Sequence, residues 1–284
     1  NKIRGVLDPK GKLIGWDEHL IRASYPGKPG FLTGPWPSAF PFNSVDNVRA
    51  SLSTFRVDTP TGAWRAPYSN THAFVSQSFI HELATEANRD HLEFLLEMMG
   101  DPRWLSPGQI NALNTERAIG VLKKVARETQ LQSKPARNNR GLGLAFYFCH
   151  AAHVAEVADV TVTQANEIFV NKVTAAVDVG PIINMSGALN QVEGSIMDGL
   201  STMVGQKITM ENGRIEQTNL DKYPVLRINA APDIEVHFIE SDYDPTGLGE
   251  PALPPLAPAI ANAIFEATGA RVRTMPLTDL GYTI

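Results

Sequence analysis

Residues 246–270 constrain the chain more tightly than any other stretch. Thr246-Gly247-Leu248-Gly249-Glu250-Pro251 runs into an Ala-rich apolar segment from Ala252 to Ala270. The glycines either side of Leu248 let the backbone come close to another group, and the proline after the carboxylate presets the first turn of a helix. The apolar segment, broken by prolines at 254, 255 and 258, reads as a buried helix over 254–268. On its own, Glu250 reads first as the cap of that helix, where the dipole favours a negative charge. The second reading is a general base held on a close-packed glycine loop.

At 284 residues the chain can form one large domain or two medium ones with a real core. A composition of 43% hydrophobic and 19% charged residues, with a formal charge of -5, is that of an ordinary globular protein. No basic block points to nucleic acid, and no apolar run reaches the roughly 18–20 residues of a membrane helix. Cys149 is the single cysteine, so the chain forms no internal disulfide and cannot ligate an iron–sulfur cluster or a zinc ion by cysteines alone. The N-terminal Asn1-Lys2-Ile3-Arg4-Gly5 has no initiator Met and no apolar signal core, and reads as the middle of a strand. The chain is expected to be a processed or split piece of something larger.

The pattern of elements predicts a hairpin from Ile3–Leu7 and Leu13–His19, turning at Asp8-Pro9-Lys10-Gly11. Residues 24–47, rich in Pro26, Pro29, Pro35, Pro37 and Pro41, form a long ordered loop in which Phe31, Trp36, Phe40 and Phe42 seek burial. A strand over 50–57 follows, then helices over 70–87, capped by Ser69 or Asn70, over 92–99, and from Ser106-Pro107 to about 128. Gln130–Arg140 is polar and marks a boundary. Strands are expected in 141–163 and 168–179, a helix over 189–204, a hairpin turning at Asn212-Gly213, and strands over 234–240 and 272–276. Interspersed strands, helices and hairpins favour an α+β (mixed α/β) fold over a regular parallel sheet. The division expected is 1–100, a helical connection over 101–140, and 141–284.

Besides Glu250, three places carry candidate chemistry. In Thr61-Gly62-Ala63-Trp64-Arg65-Ala66-Pro67, an Arg stands in a punctuated loop just ahead of a helix; forked donors and a helix N-terminus suit an anionic ligand, or Arg65 is a surface ion-pair residue. From Asp178 through Asn184 to Gln191-Val192-Glu193-Gly194 a strand ends and a helix begins with side-chain amides, which read heterocycles with paired donor and acceptor, or serve as caps. Cys149-His150-Ala151-Ala152-His153 has an i, i+3 histidine spacing, but the strand-like surroundings send the imidazoles to opposite faces, and no third metal ligand is evident. His81-Glu82 and Asp242/Asp244 are weaker. Gly141-Leu142-Gly143 lacks the third glycine of a dinucleotide fingerprint.

Taken in order, the Arg65 loop, the Asp178–Gly194 block and the Gly-x-Gly-Glu-Pro loop resemble the molybdenum hydroxylases, the xanthine dehydrogenase and aldehyde oxidase family. Within it the likeness is to the beta chain of isoquinoline 1-oxidoreductase and related bacterial aldehyde dehydrogenases, and it extends over nearly the whole chain. The resemblance implies the C-terminal portion of a two-lobed molybdopterin-binding subunit, with 1–100 in the first lobe and 141–284 in the second. It implies a molybdopterin carrying Mo, in its cytosine dinucleotide form, held through Trp64, Arg65, Ala66, Gln191, Gly247 and Gly249, with no metal ligand from the protein. Glu250 would be the general base in hydroxylating an aldehyde or N-heteroaromatic carbon with water. The family's loop after the Arg is Gly-Phe-Gly-like; here it is Ala66-Pro67-Tyr68-Ser69. The Gly-Gly-Phe-Gly and Met-Gly-Gln-Gly cofactor segments are missing, and Met203-Val204-Gly205-Gln206 does not replace them. A companion molybdopterin-binding chain or an N-terminal remainder would then complete the site, a subunit with 2Fe–2S clusters would carry electrons away, and cytochrome c or another acceptor would receive them. The rival reading is a non-catalytic piece of the same fold within a larger complex.

Overall fold

The computed structural model describes residues 1–24, 39–59, 62–108, 112–133 and 139–284. The expected hairpin forms: β1 (Lys2–Leu7) and β2 (Leu13–Ser24) pair antiparallel. The Asp8 carboxylate accepts from the backbone N–H of Lys10 (2.8 Å) and Lys12 (2.9 Å), holding the turn. β3 (Asn47–Arg56) lies parallel to β2, giving the order β1-β2-β3. Of the aromatic loop, Phe40 and Phe42 are buried as expected; Phe31, Trp36 and the prolines at 26, 29, 35 and 37 lie outside the described residues.

Helix α1 (Ser69–Glu86) is followed by α2 (His91–Met99), which Asp90 caps through the N–H of Glu93. Neither Ser69 nor Asn70 caps α1. Its N-cap is Tyr68, at φ 67° with no side-chain cap, because the preceding loop enters through left-handed backbone at Ala66 and Tyr68. The third helix does not open at Ser106-Pro107. Ser106 sits at φ 58°, and the chain first forms a short antiparallel pair, β4 (Trp104–Leu105) with β5 (Leu113–Asn114). Asn114 then caps α3 (Thr115–Thr129) by accepting from the N–H of Glu116 (2.9 Å) and Arg117 (3.3 Å).

The main sheet comprises β6 (Arg140–Cys149), β7 (Ala152–Val162), β8 (Ile168–Asp178) and, after α4 (Met185–Val204) and the small hairpin of β9 (Met210–Glu211) and β10 (Arg214–Ile215), β11 (Asp233–Phe238). Its order is β11-β8-β7-β6, antiparallel except that β11 runs parallel to β8. The mixed α/β expectation therefore holds. Helix α4 opens at Met185, capped by Asn184, so Gln191 lies on its second turn and not at its start. The final helix, α5 (Leu256–Thr268), begins two residues later than expected. Glu250 does not cap it: the turns from Pro251 to Pro255 intervene, and the helix has no side-chain cap. Residues 272–276 form no strand; Val272 is buried in a loop running to a short 3-10 turn at Leu277–Leu280.

Side chains alternate across β6, β7 and β8, so the sheet has two apolar faces. Val154, Ala158, Ala175 and Val177 join α4 and α5 in one core; Phe146, Ala155, Val157 and Ala176 join α2, α3 and the first sheet in the other. Gly141 and Gly143 let α5 lie directly on β6: a Cβ on Gly143 would stand 2.1 Å from the Ala259 carbonyl. That is why a Gly-x-Gly occurs there without a dinucleotide fingerprint. The free edge of β6 is covered by two buried amides. Gln77 of α1 accepts from Phe146 N–H (3.1 Å), and Asn262 of α5 donates to Leu144 C=O (2.9 Å).

Candidate functional site

The Arg65 loop, the first half of α4, the β6–β7 turn and residues 246–253 converge at one end of the main sheet. Thr246 N–H donates to Val179 C=O (2.9 Å), which fixes the Gly247–Glu250 loop beside the end of β8. The Arg65 loop is built from the other side. Asn70 donates from its side chain to Arg65 C=O (3.1 Å) and from its backbone to Ala66 C=O (3.0 Å), while the Tyr68 ring stacks on His72, 5.1 Å between centroids. Ala66, Ala73, Tyr147, Cys149 and Leu253 form a small core directly beneath.

Arg65 joins the three motifs. Its Nε donates to Gly249 C=O (2.6 Å), its Nη1 to Asp198 (2.7 Å), and its Nη2 to both the backbone and the side-chain oxygen of Gln191 (3.1 and 3.2 Å). Every guanidinium nitrogen is engaged within the chain, so Arg65 acts as a bracket between α4 and the glycine loop. Gln191, Gly194 and Asp198 recur at i, i+3 and i+7 on the face of α4 turned to Arg65; a Cβ on Gly194 would stand 3.6 Å from Arg65 Nη1. Asp198 belongs to none of the three motifs, although its helical spacing from Gln191 is a usable signal.

The bracket leaves donors free on the site side. Gln191 Oε1 accepts from Arg65, and among the described residues nothing accepts from its amide NH2. The backbone N–H groups of Gly247, Leu248, Gly249 and Glu250 likewise find no acceptor among the described residues. Gly247 has open space where a Cβ would stand, with nothing among the described residues within 4 Å. A run of free amide donors on a loop with no side chain in the way suits an acceptor-rich heterocycle with phosphate, the chemistry of a pterin cofactor. Trp64 is exposed beside it, and Ala66 is fully buried with φ 54°, shaping the loop without offering a side chain.

Glu250 Oε2 meets His150 Nε2 at 2.6 Å, and its Oε1 has no partner among the described residues. His150 and Ala151 are the two central residues of the turn joining β6 to β7, both left-handed (φ 51° and 61°). His150 Nδ1 lies 3.4 Å from Cys149 Sγ. Burial, with the Glu250 charge adding to it against an opposing Ser69 hydrogen bond, pushes the Cys149 thiol up to about 12. The two histidines are apart, though by a turn and not by the strand alternation expected: His150 stands in the turn and faces the glycine loop, while His153 is buried on β7 and accepts from Asn114 N–H (3.1 Å). No group of metal-ligating side chains occurs among the described residues.

Asp178, the first residue of the second motif, is structural. It takes Arg117 Nη2 at 2.7 Å and Ser241 Oγ at 2.8 Å, tying the end of β8 to α3 and to the segment leading into the glycine loop. Burial acts to raise its carboxyl, but those two partners outweigh burial and hold it below the usual carboxylate range. Gly180 (φ 75°) follows because a Cβ there would stand 2.5 Å from Tyr243 C=O.

A family model described as "Molybdopterin cofactor-binding domain" matches residues 84–232, just over half of the chain. The chain is 29% identical, over 98% of its length, to a nicotinate dehydrogenase chain of Pseudomonas putida, and 31% identical, over 72% of its length, to the beta chain of isoquinoline 1-oxidoreductase from Brevundimonas diminuta. Among solved structures, quinoline 2-oxidoreductase from Pseudomonas putida 86 superposes with a TM-score of 0.80 at 11% identity, covering 97% of this chain and 60% of that one; at such identity the likeness speaks for the fold alone. The chain belongs to the molybdenum hydroxylase family, as a molybdopterin cofactor-binding part of it. It spans 25% of the length of both curated relatives.

Proposed function

We propose that this chain supplies the catalytic end of the molybdopterin site in an oxidoreductase that hydroxylates an aldehyde or an N-heteroaromatic carbon with water. The observation that carries the reading is the Arg65 bracket, which draws Gln191 and Gly249 together and sets Glu250 next in the loop. When bound, the Mo-carrying molybdopterin supplies the two-electron redox chemistry. The chain's own residues do the rest. The Gln191 amide and the N–H groups of 247–250 hold the pterin, in its cytosine dinucleotide form. Arg65 keeps both segments in register. Glu250, anchored through Oε2, receives at Oε1 the proton of the attacking oxygen nucleophile; a positioned base of this kind is worth about 10²–10⁴-fold in rate.

The Glu250 side chain remains 35% exposed, which fits a site whose far wall comes from elsewhere. A companion molybdopterin-binding polypeptide, or a further part of the same one, forms that wall. A 2Fe–2S subunit takes the electrons on to cytochrome c or another acceptor. Residues 1–100 and 141–284 contribute to two lobes joined through 101–140.

Glu250→Gln in the complete complex tests the reading. Turnover is expected to fall by about 10²-fold or more with Mo content unchanged; normal turnover removes Glu250 from the chemistry. A cofactor-replete complex that contains no Mo overturns the reading as a whole.

A further inference from the structure

The β6–β7 turn is built against local preference. A two-residue hairpin of this kind requires positive φ at both central positions and selects Asn-Gly or Asp-Gly. Here the positions are His150 and Ala151, at φ 51° and 61°. Histidine tolerates the left-handed region better than most residues, and alanine poorly. The chain uses the preferred pair where nothing else is asked of the turn: Asn212-Gly213, at φ 48° and 77°, joins β9 to β10. Strained backbone of this sort is characteristic of positions whose side chain has a task.

The task is visible in the contacts of the imidazole. One nitrogen lies 2.6 Å from Glu250 Oε2 and the other 3.4 Å from Cys149 Sγ. We propose that His150 is the positioning residue of Glu250: its Nε2, 2.6 Å from Oε2, holds that oxygen by close electrostatic contact, fixes the carboxylate rotamer, and leaves Oε1 turned toward the reacting centre. Cys149 completes the arrangement. Its thiol stays protonated across neutral pH, so S–H is available to Nδ1, which selects the tautomer carrying the proton on Nε2. Two side chains from the end of one hairpin, Cys149 and His150, thus orient one carboxylate oxygen of Glu250, in the manner of an orienting group behind a base.

The proposal rests on Glu250 being the base, and its test separates the two. In the complete complex, the double substitution His150→Asn, Ala151→Gly installs the preferred turn pair and removes the imidazole. The expected outcome is a raised Tm, unchanged Mo content, kcat lowered tenfold or more, and KM within twofold, since a base that is present but misaligned loses the chemical step and not substrate binding. With histidine 15N-labelled, the His150 Nε2 resonance is expected to shift in the Glu250→Gln complex. Wild-type kcat in the double variant, or a His150 resonance indifferent to Glu250→Gln, overturns the proposal. If Glu250→Gln is inactive while the double variant is fully active, only the role of His150 fails; if Glu250→Gln is active, Glu250 is not the base and the role of His150 falls with it.

Discussion

Arg65 Nε and the Gly249 carbonyl oxygen stand 2.6 Å apart, although 184 positions separate them in the chain. That bond turns three sequence motifs into one site. A planar fork is what the position demands, because Nε serves the glycine loop while Nη1 and Nη2 reach Asp198 and Gln191, two turns apart on α4.

Lysine at position 65 keeps the charge and loses the fork. The Arg65 side chain is 18% exposed, but the acceptors it leaves, on Asp198, Gln191 and Gly249, belong to exposed residues that water can reach. Arg65→Lys is expected to cost about 1 kcal/mol or less in denaturant unfolding, since water replaces the lost bonds, and to lower Mo content of the purified complex several-fold because the glycine loop and α4 are no longer held together. A complex that retains full Mo with this substitution shows that the bracket does not hold the cofactor loop.

The helix behind the loop depends on one missing side chain. A Cβ on Gly143 would meet Ala259 O at 2.1 Å and Ala263 N at 2.2 Å, both helix backbone that cannot move aside locally. Gly143→Ala must lift α5 off β6, and is expected to cost about 3 kcal/mol or more, or to prevent folding. Gly62→Ala, with open space around the Cβ position among the described residues and ordinary φ, is the matched control and should stay within about 0.5 kcal/mol by chemical denaturation.

How much of the fold and site is legible in the sequence follows from the range of each interaction. The β1–β2 hairpin and the Asn212-Gly213 turn are set by neighbours in sequence, and both are readable. The start of α3 is not. Ser106-Pro107 is a sound local cap signal, but Thr115 Oγ1 bonds to Asp101 O and to Arg103 N, which pins the chain so that Asn114 caps instead. The site divides the same way. Glu250, Gln191 and the Arg65 loop carry recognisable local patterns, whereas the partners of Arg65 and the pairing of His150 with Glu250 are tertiary. A histidine so far along the chain from its carboxylate has no sequence signature beyond an improbable turn.

Cys149 adjoins this site without being a reactive thiol. It is buried, and its thiol is pushed up to about 12, so the thiolate population at about pH 8 is negligible. Maleimide labelling of the native protein at about pH 7–8 is expected to be slower than that of the denatured chain by at least about 10²-fold. Rapid labelling in the native state would mean that the β6–β7 turn opens readily.

The pH dependence of stability carries the last prediction, through two groups of opposite sign on β7. Glu156 is fully buried beneath α5 with neither carboxyl oxygen paired among the described residues, and burial raises it well above its ordinary 4.5. Folded, it keeps its proton; unfolded, it loses it above about pH 4.5, so its contribution falls as pH rises beyond that point. His153 is the reverse. Burial, aided by the Arg117 charge, lowers it from 6.5 to about 3, so the folded chain keeps it neutral and stability is lost as pH falls from about 6.5 toward 3. Glu156→Gln removes the first effect and leaves the second. The stability of the variant relative to wild type is therefore expected to rise by about 1.4 kcal/mol per pH unit between about pH 5 and 8, as long as Glu156 stays protonated in the fold. Urea unfolding of both proteins across that range measures the slope. A difference that does not change with pH would mean that Glu156 is ionised in the folded chain, and that a cation reaches it which the packing of α5 on β7 gives no room for.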